Sequence, residues 1–467
     1  MRQDYEVELA VIGSGSAAMS AAITARQAGH TVVLIERGTL GGTCVNIGCV
    51  PSKALLAAAA ARHDALNNPF AGVSTTAGPV DLAAMVGQKD DLVHQLREMK
   101  YADVAAAHGF EIREGHARFL DPETLLVDGQ PLRARAYLVA TGAQPAAPAL
   151  PGLSEVDWLT STTAMELTEV PDSLVIIGAG YVGLEQAQLF AQLGAQVSLV
   201  GHLAPRAEPE LADRLREILL DDGLAMVEEH AVHVGTDAGQ AVVTTTSGRQ
   251  VRGERLLVAT GRAATTDGLD LAAAGVEVDE RGFISVDDHQ RTSTPRIWAA
   301  GDVSGAPQFV YVAAATGKVA ALNALGTQPA ARVEYTGLPA VVFTRPQLAS
   351  AGWSEAQARA HGLAYDTRVL DLSEVPRALV NRDTRGAVKI VADAVTGTVV
   401  GVHALAEGAG EIMLAATYAI TAGMTVDDLG ALPHDGRESA PDRRVVSHPD
   451  AHLLLRLTTP FSLGREH

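Results

Sequence analysis

The stretch from Val7 to Glu36 reads VELAVIGSGSAAMSAAITARQAGHTVVLIE, and the rest of the chain can be interpreted outward from it. It begins as an apolar strand that ends in Gly13-Ser14-Gly15, continues as a helical run over 19–28 and closes with a second strand over 31–35. Glycines between a strand and a helix let the backbone approach a pyrophosphate, and an acid about 20 residues further on can accept a ribose hydroxyl. The stretch therefore predicts a dinucleotide-binding unit, with a tight turn that binds no ligand as the alternative.

A second copy of this pattern follows about 165 residues later in the numbering. The strand over 173–177 runs into Gly178-Ala179-Gly180-Tyr181-Val182-Gly183, a helix over 184–193 and a strand over 196–200. This second strand ends in Gly201-His202, with Arg206 nearby and no acid at the strand end. An NADH site places a carboxylate here to bind the ribose 2′-hydroxyl, whereas an NADPH site needs side chains that can bind a 2′-phosphate. His202 and Arg206 therefore favour NADPH over NADH. Two dinucleotides with separate sites imply that electrons pass between them.

The only two cysteines, Cys44 and Cys49, lie in GGTCVNIGCVPSK at 41–53. Their spacing is one helical turn plus a cap, which lets the sulfurs bond to each other and predicts a redox pair. A structural disulfide in an exported protein is the alternative, but it needs an oxidising compartment and usually more cysteines. A zinc clip made of two thiols alone lacks the further ligands that a structural zinc site needs.

Composition limits the classes of partner. The 467 residues suggest roughly three domains of ~150 residues each, and 36 basic against 55 acidic residues give a net charge of −19. This charge argues against nucleic acid and anionic membrane surfaces as partners. We find no run of ~18 uncharged apolar residues and no signal-peptide core before the first strand. We therefore expect a cytoplasmic protein that neither spans a membrane nor binds nucleic acid.

The remaining segments alternate between helical and extended patterns. We predict helices over 54–67 and 81–101, a β-meander over 111–136, two strands that end in Ala140-Thr141-Gly142 and Ala259-Thr260-Gly261, a strand that ends in Ala300-Gly301-Asp302, and alternating strands and helices from 335 to 428. The proline-rich run over 145–151 indicates a domain boundary.

From about residue 6 to residue 429 the chain resembles the flavin-dependent pyridine nucleotide-disulfide oxidoreductases. The resemblance rests on both fingerprints, the Gly-Gly-Thr-Cys-x4-Cys stretch, both Ala-Thr-Gly strands and the Ala-Gly-Asp strand. Shorter marks are similar to the mercuric reductases within that family: IERGT at 35–39, LREMKY at 96–101, PAVVFT at 339–344, VPRAL at 375–379 and DTRG at 383–386.

The resemblance implies an α/β fold with two Rossmann-like domains, for FAD and NADPH, plus a C-terminal α+β interface domain. The implied boundaries are 1–147 and 266–334 for the FAD-binding domain, 148–265 for the NADPH-binding domain, 335–430 for the interface domain and 431–467 for an aberrant tail. The family also implies a homodimer, although an aberrant tail weakens that expectation.

The resemblance also assigns roles to individual residues. Cys49 matches the thiol that faces the flavin and Cys44 the more exposed exchange thiol, so these two are the candidate metal ligands. Lys53 and Glu185 match an ion pair beside the flavin ring, where a cation stabilises negative charge, and Tyr181 matches the residue that covers the nicotinamide site. The cofactor-binding candidates are Gly13, Gly15, Ala18, Glu36, Thr43, Lys53, Thr141, Gly142 and Asp302 for FAD, and Gly178, Gly180, Gly183, His202, Arg206 and Gly261 for NADPH.

Hg(II) is the substrate that the resemblance implies, because thiolates bind this soft cation far better than nitrogen or oxygen ligands do. Reduction to Hg(0) would follow the path NADPH, FAD, dithiol, metal. Two alternatives stay open: a small-molecule disulfide reductase, and a flavoprotein that binds metal through its thiols with impaired turnover.

The chain departs from the family in two respects. We find no N-terminal heavy-metal domain with its Cys-x-x-Cys, and no vicinal Cys-Cys near the C-terminus. Disulfide reductases of the family carry a His-Pro followed by a Glu, but no Glu follows His448-Pro449 closely. We interpret His434 and His448 as tail residues without a catalytic role.

We interpret the tail after about Leu429 as a frame-shifted reading of an ordinary mercuric reductase C-terminus. Such a terminus reads Pro-Tyr-Leu-Thr-Met and later Ser-Cys-Cys-Ala. The codons CCC TAC CTC ACG ATG G, entered out of frame, give Leu432 to Gly436, and C TCC TGC TGC GCC TGA gives Leu453 to Leu457. A genuinely divergent tail is the alternative, and resequencing the gene separates the two.

Overall fold

The computed structural model describes residues 5–326 and 330–431. The first segment contains β1 (Val7–Ile12), α1 (Ser16–Gln27), β2 (Val32–Glu36), α2 (Gly42–Asn46), α3 (Cys49–Leu66), α4 (Leu82–Arg97), α5 (Asp103–His108), β3 (Glu111–Glu114), β4 (Ala117–Asp121), β5 (Thr124–Val127), β6 (Gln130–Leu132), β7 (Ala134–Val139) and β8 (Ala143–Pro145). A π-helical turn, Glu98–Ala102, joins α4 to α5. The first fingerprint thus forms the predicted strand, helix and strand.

The second segment repeats this arrangement. It contains α6 (Ser161–Ala164), β9 (Ser173–Ile177), α7 (Tyr181–Leu193), β10 (Gln196–Val200), α8 (Pro209–Asp221), β11 (Ala225–Val227), β12 (Ala231–Asp237), β13 (Gln240–Thr245), β14 (Gln250–Gly253), β15 (Arg255–Val258) and β16 (Arg262–Ala264). Four of these strands form a parallel sheet in the order β11-β10-β9-β15, and the short antiparallel pair β16-β8 connects this segment to the first.

The chain then returns to the first sheet through β17 (Ile297–Ala299), which pairs in parallel with β7. The completed sheet has the order β17-β7-β1-β2-β3. Its central strands are almost continuously apolar, as expected for parallel strands covered on both faces. Helix α9 (Val310–Ala324) follows β17 and packs against α1, where Ser20 Oγ donates a hydrogen bond of 2.7 Å to the Ala314 carbonyl.

The predicted meander over 111–136 is only partly correct. Strands β4, β5 and β6 form it, but Glu111–Glu114 pairs in parallel with β2, with Glu111 opposite Val33. Helix α5 ends at Gly109, with φ of +67°, and this turn directs the chain back along the edge of the parallel sheet. The alternation in this stretch therefore comes from an edge strand followed by a separate meander.

The C-terminal segment is α+β, as expected. It contains β18 (Pro339–Val342), β19 (Gln347–Gly352), α10 (Glu355–Ala360), β20 (Tyr365–Asp371), α11 (Pro376–Asn381), β21 (Ala387–Asp393), β22 (Val399–Ala406), α12 (Ala409–Thr421) and α13 (Val426–Gly430). Its five strands form an antiparallel sheet in the order β18-β19-β22-β21-β20. The fold class that the sequence predicts is thereby confirmed, whereas the individual domain boundaries stay predictions.

One helical segment, Gly42–Leu66, is long and apolar enough by composition to cross a membrane, with a mean hydropathy of 1.5. A third of its most apolar window is buried in the protein. The segment carries both cysteines and the Lys53 ammonium, which is paired with Glu185 of α7. The core helix of a soluble protein can pass the same test, so one such helix is weak evidence of a membrane span.

The tail prediction concerns residues that fall almost wholly outside the described part of the chain. His434, His448 and the two stretches that carry the codon argument all lie beyond residue 431. The frame-shift interpretation therefore stays a prediction.

Candidate active site

The turn between β1 and α1 is built so closely that it requires glycine. Gly13 adopts φ of +107°, and a Cβ at this position would lie 2.5 Å from the Ala140 carbonyl oxygen. Gly15 is the residue before α1, and the nearest atom to a Cβ there is the Gly42 Cα at 3.8 Å. The backbone amides at the start of α1 are thereby left open to a phosphate group. Ala18 is fully buried on the inner face of α1.

Glu36 stands at the end of β2, where a ribose hydroxyl is expected. Its Oε2 accepts a hydrogen bond of 2.5 Å from Ser14 Oγ, and its Oε1 accepts one of 2.8 Å from the Gly38 amide. These bonds hold the carboxylate at the edge of a cleft of about 630 Å³. The predicted residues that line this cleft are Gly13, Gly15, Glu36, Thr43, Thr141 and Gly142.

Asp302 lies in the turn that follows β17 and does not line this cleft. Its Oδ2 is 3.8 Å from Nε of Arg262, a residue that we did not predict. Burial raises the pKa of Asp302 and lowers that of Arg262. The Nε of Arg262 is buried and has no hydrogen-bond partner among the described residues. The glycine turn and the fixed Glu36 carboxylate, which line this cleft together, fit the binding of a dinucleotide such as FAD.

The two thiols lie side by side. Cys44 is in α2, Cys49 is the first residue of α3, and a hydrogen bond joins their side chains. This hydrogen bond, opposed by burial and assisted by the Lys53 charge, lowers the pKa of Cys49 to about 7. The same bond and burial raise the pKa of Cys44. The geometry therefore favours a thiolate on Cys49 that accepts the S–H of Cys44.

The two cysteines differ in exposure. Cys49 is exposed and Cys44 is half-buried. Cys49 lies at the first turn of α3, where its charge acts on Arg262 and Tyr311. Burial, and then the charges of Cys44 and Cys49, raise the pKa of Tyr101 in the π-helical turn. The division of roles between the two thiols stays a prediction.

Lys53 and Glu185 meet although 132 residues separate them. Lys53 Nζ donates a hydrogen bond of 2.7 Å to Glu185 Oε2, and Ser52 Oγ donates one of 3.1 Å to the same oxygen. The other oxygen of Glu185 accepts the Phe343 amide at 3.1 Å, and Lys53 Nζ lies 4.5 Å from the centre of the Phe343 ring. Glu185 therefore joins α3, α7 and the loop after β18, and holds the ammonium four residues after Cys49.

The second fingerprint has the backbone of the first. Gly178 also adopts φ of +107°, and its Cβ would lie 2.4 Å from the Ala259 carbonyl oxygen. A Cβ on Gly180 would meet nothing within 4 Å, which leaves space at the start of α7. Gly261 adopts φ of +135° and also borders open space. The turn is thus shaped for a second dinucleotide.

The side chains predicted to select NADPH lie beyond β10. His202 is exposed and packs edge-on against His230, with ring centres 4.7 Å apart. Arg206 is exposed, and its side chain forms no hydrogen bond or ion pair with the described residues. Its guanidinium is therefore available to a ligand.

Tyr181 begins α7 and belongs to a group of aromatic rings. Its ring centre is 6.3 Å from that of Phe309, which stacks at 5.3 Å on Tyr311, and Tyr311 donates a hydrogen bond to the Pro339 carbonyl. We did not predict Phe309, Tyr311 or Arg262. Two features of the sequence could have drawn attention to these residues. Aromatic residues are scarce, at 4% of the chain, and Arg262 directly follows the second Ala-Thr-Gly.

Comparison with known proteins agrees with this geometry. The family described as pyridine nucleotide-disulphide oxidoreductase matches residues 7–317, and the dimerisation domain of the same family matches residues 338–434. The chain belongs to this family. It is a flavin-dependent oxidoreductase, and the family uses FAD and NAD(P)H. The recognition of the family from sequence is thereby confirmed.

Several curated relatives carry the name mercuric reductase. A mercuric reductase of Streptomyces lividans is 51% identical over 91% of this chain and 92% of that protein. One from Bacillus cereus is 46% identical over 91% of this chain and 68% of that protein. Among solved structures, the HOCl-induced flavoprotein disulfide reductase RclA of Escherichia coli is 29% identical, with a TM-score of 0.83 over 97% of this chain and 99% of that chain.

Proposed function

We propose that this protein reduces Hg(II) to Hg(0) with electrons from NADPH. The balanced reaction is NADPH + Hg(II) → NADP⁺ + Hg(0) + H⁺, in which two electrons leave the nicotinamide and two reach the metal. The observation that carries the proposal is the hydrogen-bonded pair Cys44 and Cys49, with a thiol pKa near neutrality beside a lysine. The names of the relatives support it, because mercuric reductases are 39–51% identical to this chain.

The thiol pair acts as the metal-binding group. Because the pKa of Cys49 is about 7, a large fraction of this thiol is ionised at neutral pH. The thiolate binds soft Hg(II), and Cys44 then loses its proton as its sulfur becomes the second ligand. The Cys44 proton, and the proton of any Cys49 that is not yet ionised, go to solvent.

The Lys53 ammonium supplies a fixed positive charge beside the thiols. Glu185, 6% exposed, holds it at 2.7 Å. This charge lowers the pKa of Cys49 and favours negative charge that arrives during reduction. FAD, when bound, supplies the two-electron transfer between nicotinamide and sulfur. Gly13, Gly15 and Glu36 would hold FAD, and Gly178, Gly180 and Arg206 would hold NADPH.

NADPH is the proposed electron donor. The end of β10 offers Gly201-His202 in place of a carboxylate, and Arg206 forms no hydrogen bond or ion pair with the described residues. An unpaired guanidinium suits a 2′-phosphate, with which it can form bidentate hydrogen bonds.

A homodimer in the cytoplasm is the proposed form of the protein. The C-terminal segment matches a dimerisation domain and exposes apolar side chains on α11 and α12: Leu379, Val380, Leu414 and Tyr418. Exposed apolar side chains on a dimerisation domain are suited to contact with a second copy of the chain. The net charge of −19 is the reason to propose that neither nucleic acid nor an anionic membrane is a partner.

Anaerobic titration tests the proposal. The flavin of the purified protein is reduced with NADPH, and Hg(II) is then added. Reoxidation with release of volatile mercury is the expected result. Reoxidation by a small disulfide but not by Hg(II) would identify a disulfide reductase instead, and binding of Hg(II) without reoxidation would identify a sequestering protein.

A further inference from the structure

Helix α8 follows the loop 201–208, which carries Arg206. Ion pairs join this helix to the C-terminal domain at its start, middle and end. Arg214 Nη1 lies 2.6 Å from Asp371 Oδ2, in the middle of the helix. At its C-terminal end, Arg385 Nη1 lies 3.3 Å from Asp222 Oδ1. The position of α8 therefore depends on a domain that has no role in the nucleotide fingerprint.

The strongest of these contacts is at the N-terminal end. Lys389 of β21 is 1% exposed, and its Nζ lies 2.8 Å from Glu208, 2.6 Å from Glu210 and 2.8 Å from Glu355. Burial alone lowers the pKa of Lys389, but these hydrogen bonds more than offset it and raise the pKa above its ordinary value. The ammonium therefore stays charged at the point where a metal ion would otherwise meet the three carboxylates.

Glu208 is fixed from several directions. It is 2% exposed, and besides Lys389 it accepts the Glu355 amide at 2.7 Å. The ring of His403 lies 3.6 Å away. Without Lys389, Glu208 would be a buried carboxylate with no compensating ammonium, which would force the chain around it to move toward water.

Glu208 ends a short loop, 201–208, that carries Arg206. The middle of this loop, two residues before Arg206, is attached to the second fingerprint, where the Ala204 amide donates a hydrogen bond of 2.9 Å to the Ala179 carbonyl. Ala204 adopts φ of +39°, which is uncommon for a residue with a side chain. Arg206 is thus presented on a loop that is held by the nucleotide-binding backbone at Ala204 and by Lys389 at Glu208.

We propose that Lys389 is a positioning residue for NADPH. Through Glu208 it holds the 201–208 loop in the conformation that presents Arg206 to the 2′-phosphate. The physical effect is preorganisation, because a loop that is already ordered loses less entropy when the ligand binds. This inference rests on the proposed preference for NADPH and adds a residue from another domain, more than 180 positions away in the sequence, to that specificity.

Binding of adenosine 2′,5′-bisphosphate and of AMP to the FAD-containing protein, measured by calorimetry, tests the inference. We expect Lys389→Met to weaken bisphosphate binding about tenfold and to leave AMP binding within a factor of about two. In steady state the KM for NADPH should rise, while kcat and the KM for Hg(II) stay unchanged. Arg385→Met removes an ion pair between the same helix and the same domain far from the loop, and should change none of these values.

A double-variant cycle separates positioning from a general structural role. In protein that already carries Arg206→Ala, Lys389→Met should cause no further loss of bisphosphate affinity. Equal losses for both ligands, or additive losses in the cycle, would overturn the inference. Glu208→Gln removes the charge from the same contact and supplies the answer if Lys389→Met does not fold.

The same experiments distinguish a failure of the proposed function from a failure of the role proposed for Lys389. If the unmodified protein binds the bisphosphate no better than AMP, both the NADPH preference and the role of Lys389 are wrong. Hg(II) reduction in the same preparation then shows whether the remainder of the proposed function stands.

Discussion

The two nucleotide-binding turns share a backbone and differ in their side chains. Gly13 and Gly178 both adopt φ of +107°, and a Cβ on either would lie 2.4–2.5 Å from a carbonyl oxygen of the neighbouring strand. The two sites differ at the ends of the next strands, β2 and β10. Glu36 is held by two hydrogen bonds in the first turn, whereas Arg206 in the second forms none with described residues. The backbone thus provides for a pyrophosphate in both, and we propose that the side chains at the strand ends select the nucleotide.

The third position of the fingerprint shows a second difference. Ala18 accommodates its methyl group in the core behind α1. A Cβ on Gly183 would lie 1.7 Å from the Gly178 carbonyl oxygen, so α7 lies closer to its own turn. Equivalent positions in the two turns therefore tolerate different residues.

The largest expected effect comes from removing either thiol, which should abolish metal reduction and leave both nucleotide sites intact. Cys44→Ala and Cys49→Ala should each abolish Hg(II) reduction, because a single thiolate cannot complete the metal site. FAD should stay bound and NADPH should still reduce it, since FAD rests on backbone and Glu36, and NADPH on backbone and Arg206, rather than on sulfur. Absorbance spectra and mercury release measure this, and Cys49→Ala should also remove the long-wavelength thiolate-to-flavin band. Full turnover by either variant would contradict the dithiol mechanism.

The next prediction tests whether the turns serve different nucleotides. Gly13→Ala and Gly178→Ala each place a methyl group against a carbonyl oxygen in a left-handed conformation, at a cost of roughly 3 kcal/mol. Gly13→Ala should yield protein without flavin. Gly178→Ala should retain FAD, measured by absorbance, but lose reduction by NADPH.

Ala18→Gly is the matched control for the first turn. It removes a methyl group without creating a clash, so FAD should remain bound despite a loss of about 1 kcal/mol of stability. If Gly178→Ala also lost its flavin, the assignment of one nucleotide to each turn would be wrong.

A smaller effect is expected at the strand end of the second turn. Arg206→Ala removes one charge-assisted contact to the 2′-phosphate, worth about 1.5 kcal/mol or roughly tenfold in affinity. The ratio of kcat/KM for NADPH to that for NADH should fall by that factor, with the NADH value unchanged. Equal efficiency with both donors in the unmodified protein would show that the strand end was misinterpreted.

The smallest effect concerns Lys53, which forms an ion pair with Glu185 and lies four residues after Cys49. Because the pKa of Cys49 is lowered to about 7, its reactive thiolate is present above that pH and is lost as the pH falls below it. The rate of alkylation by iodoacetamide should follow this titration. Lys53→Met removes a charge that lowers the pKa, so the midpoint should move to higher pH by roughly one unit or less. An unchanged midpoint would exclude electrostatic coupling between Lys53 and the thiol.

Much of the fold was predictable because its signals are local. Apolar strands, glycines that need positive φ and an acid at a strand end are properties of neighbouring residues, and they defined both turns. The order of strands at a sheet edge is not local, and Glu111–Glu114 was therefore assigned to the meander although it pairs with β2. The Lys53 and Glu185 pair came from family resemblance, since no spacing connects residues 132 positions apart.

The sequence by itself thus determined two dinucleotide turns, a thiol pair at one-turn spacing and a second strand end without an acid. Only the tertiary structure decided which distant groups surround them: Arg262 beside Asp302, Phe309 and Tyr311 beside Tyr181, and Lys389 behind Glu208. Turn geometry depends on the conformational limits of a few adjacent residues. Charge pairing and ring packing depend on how the helices and sheets come together, which the residues near each site do not specify.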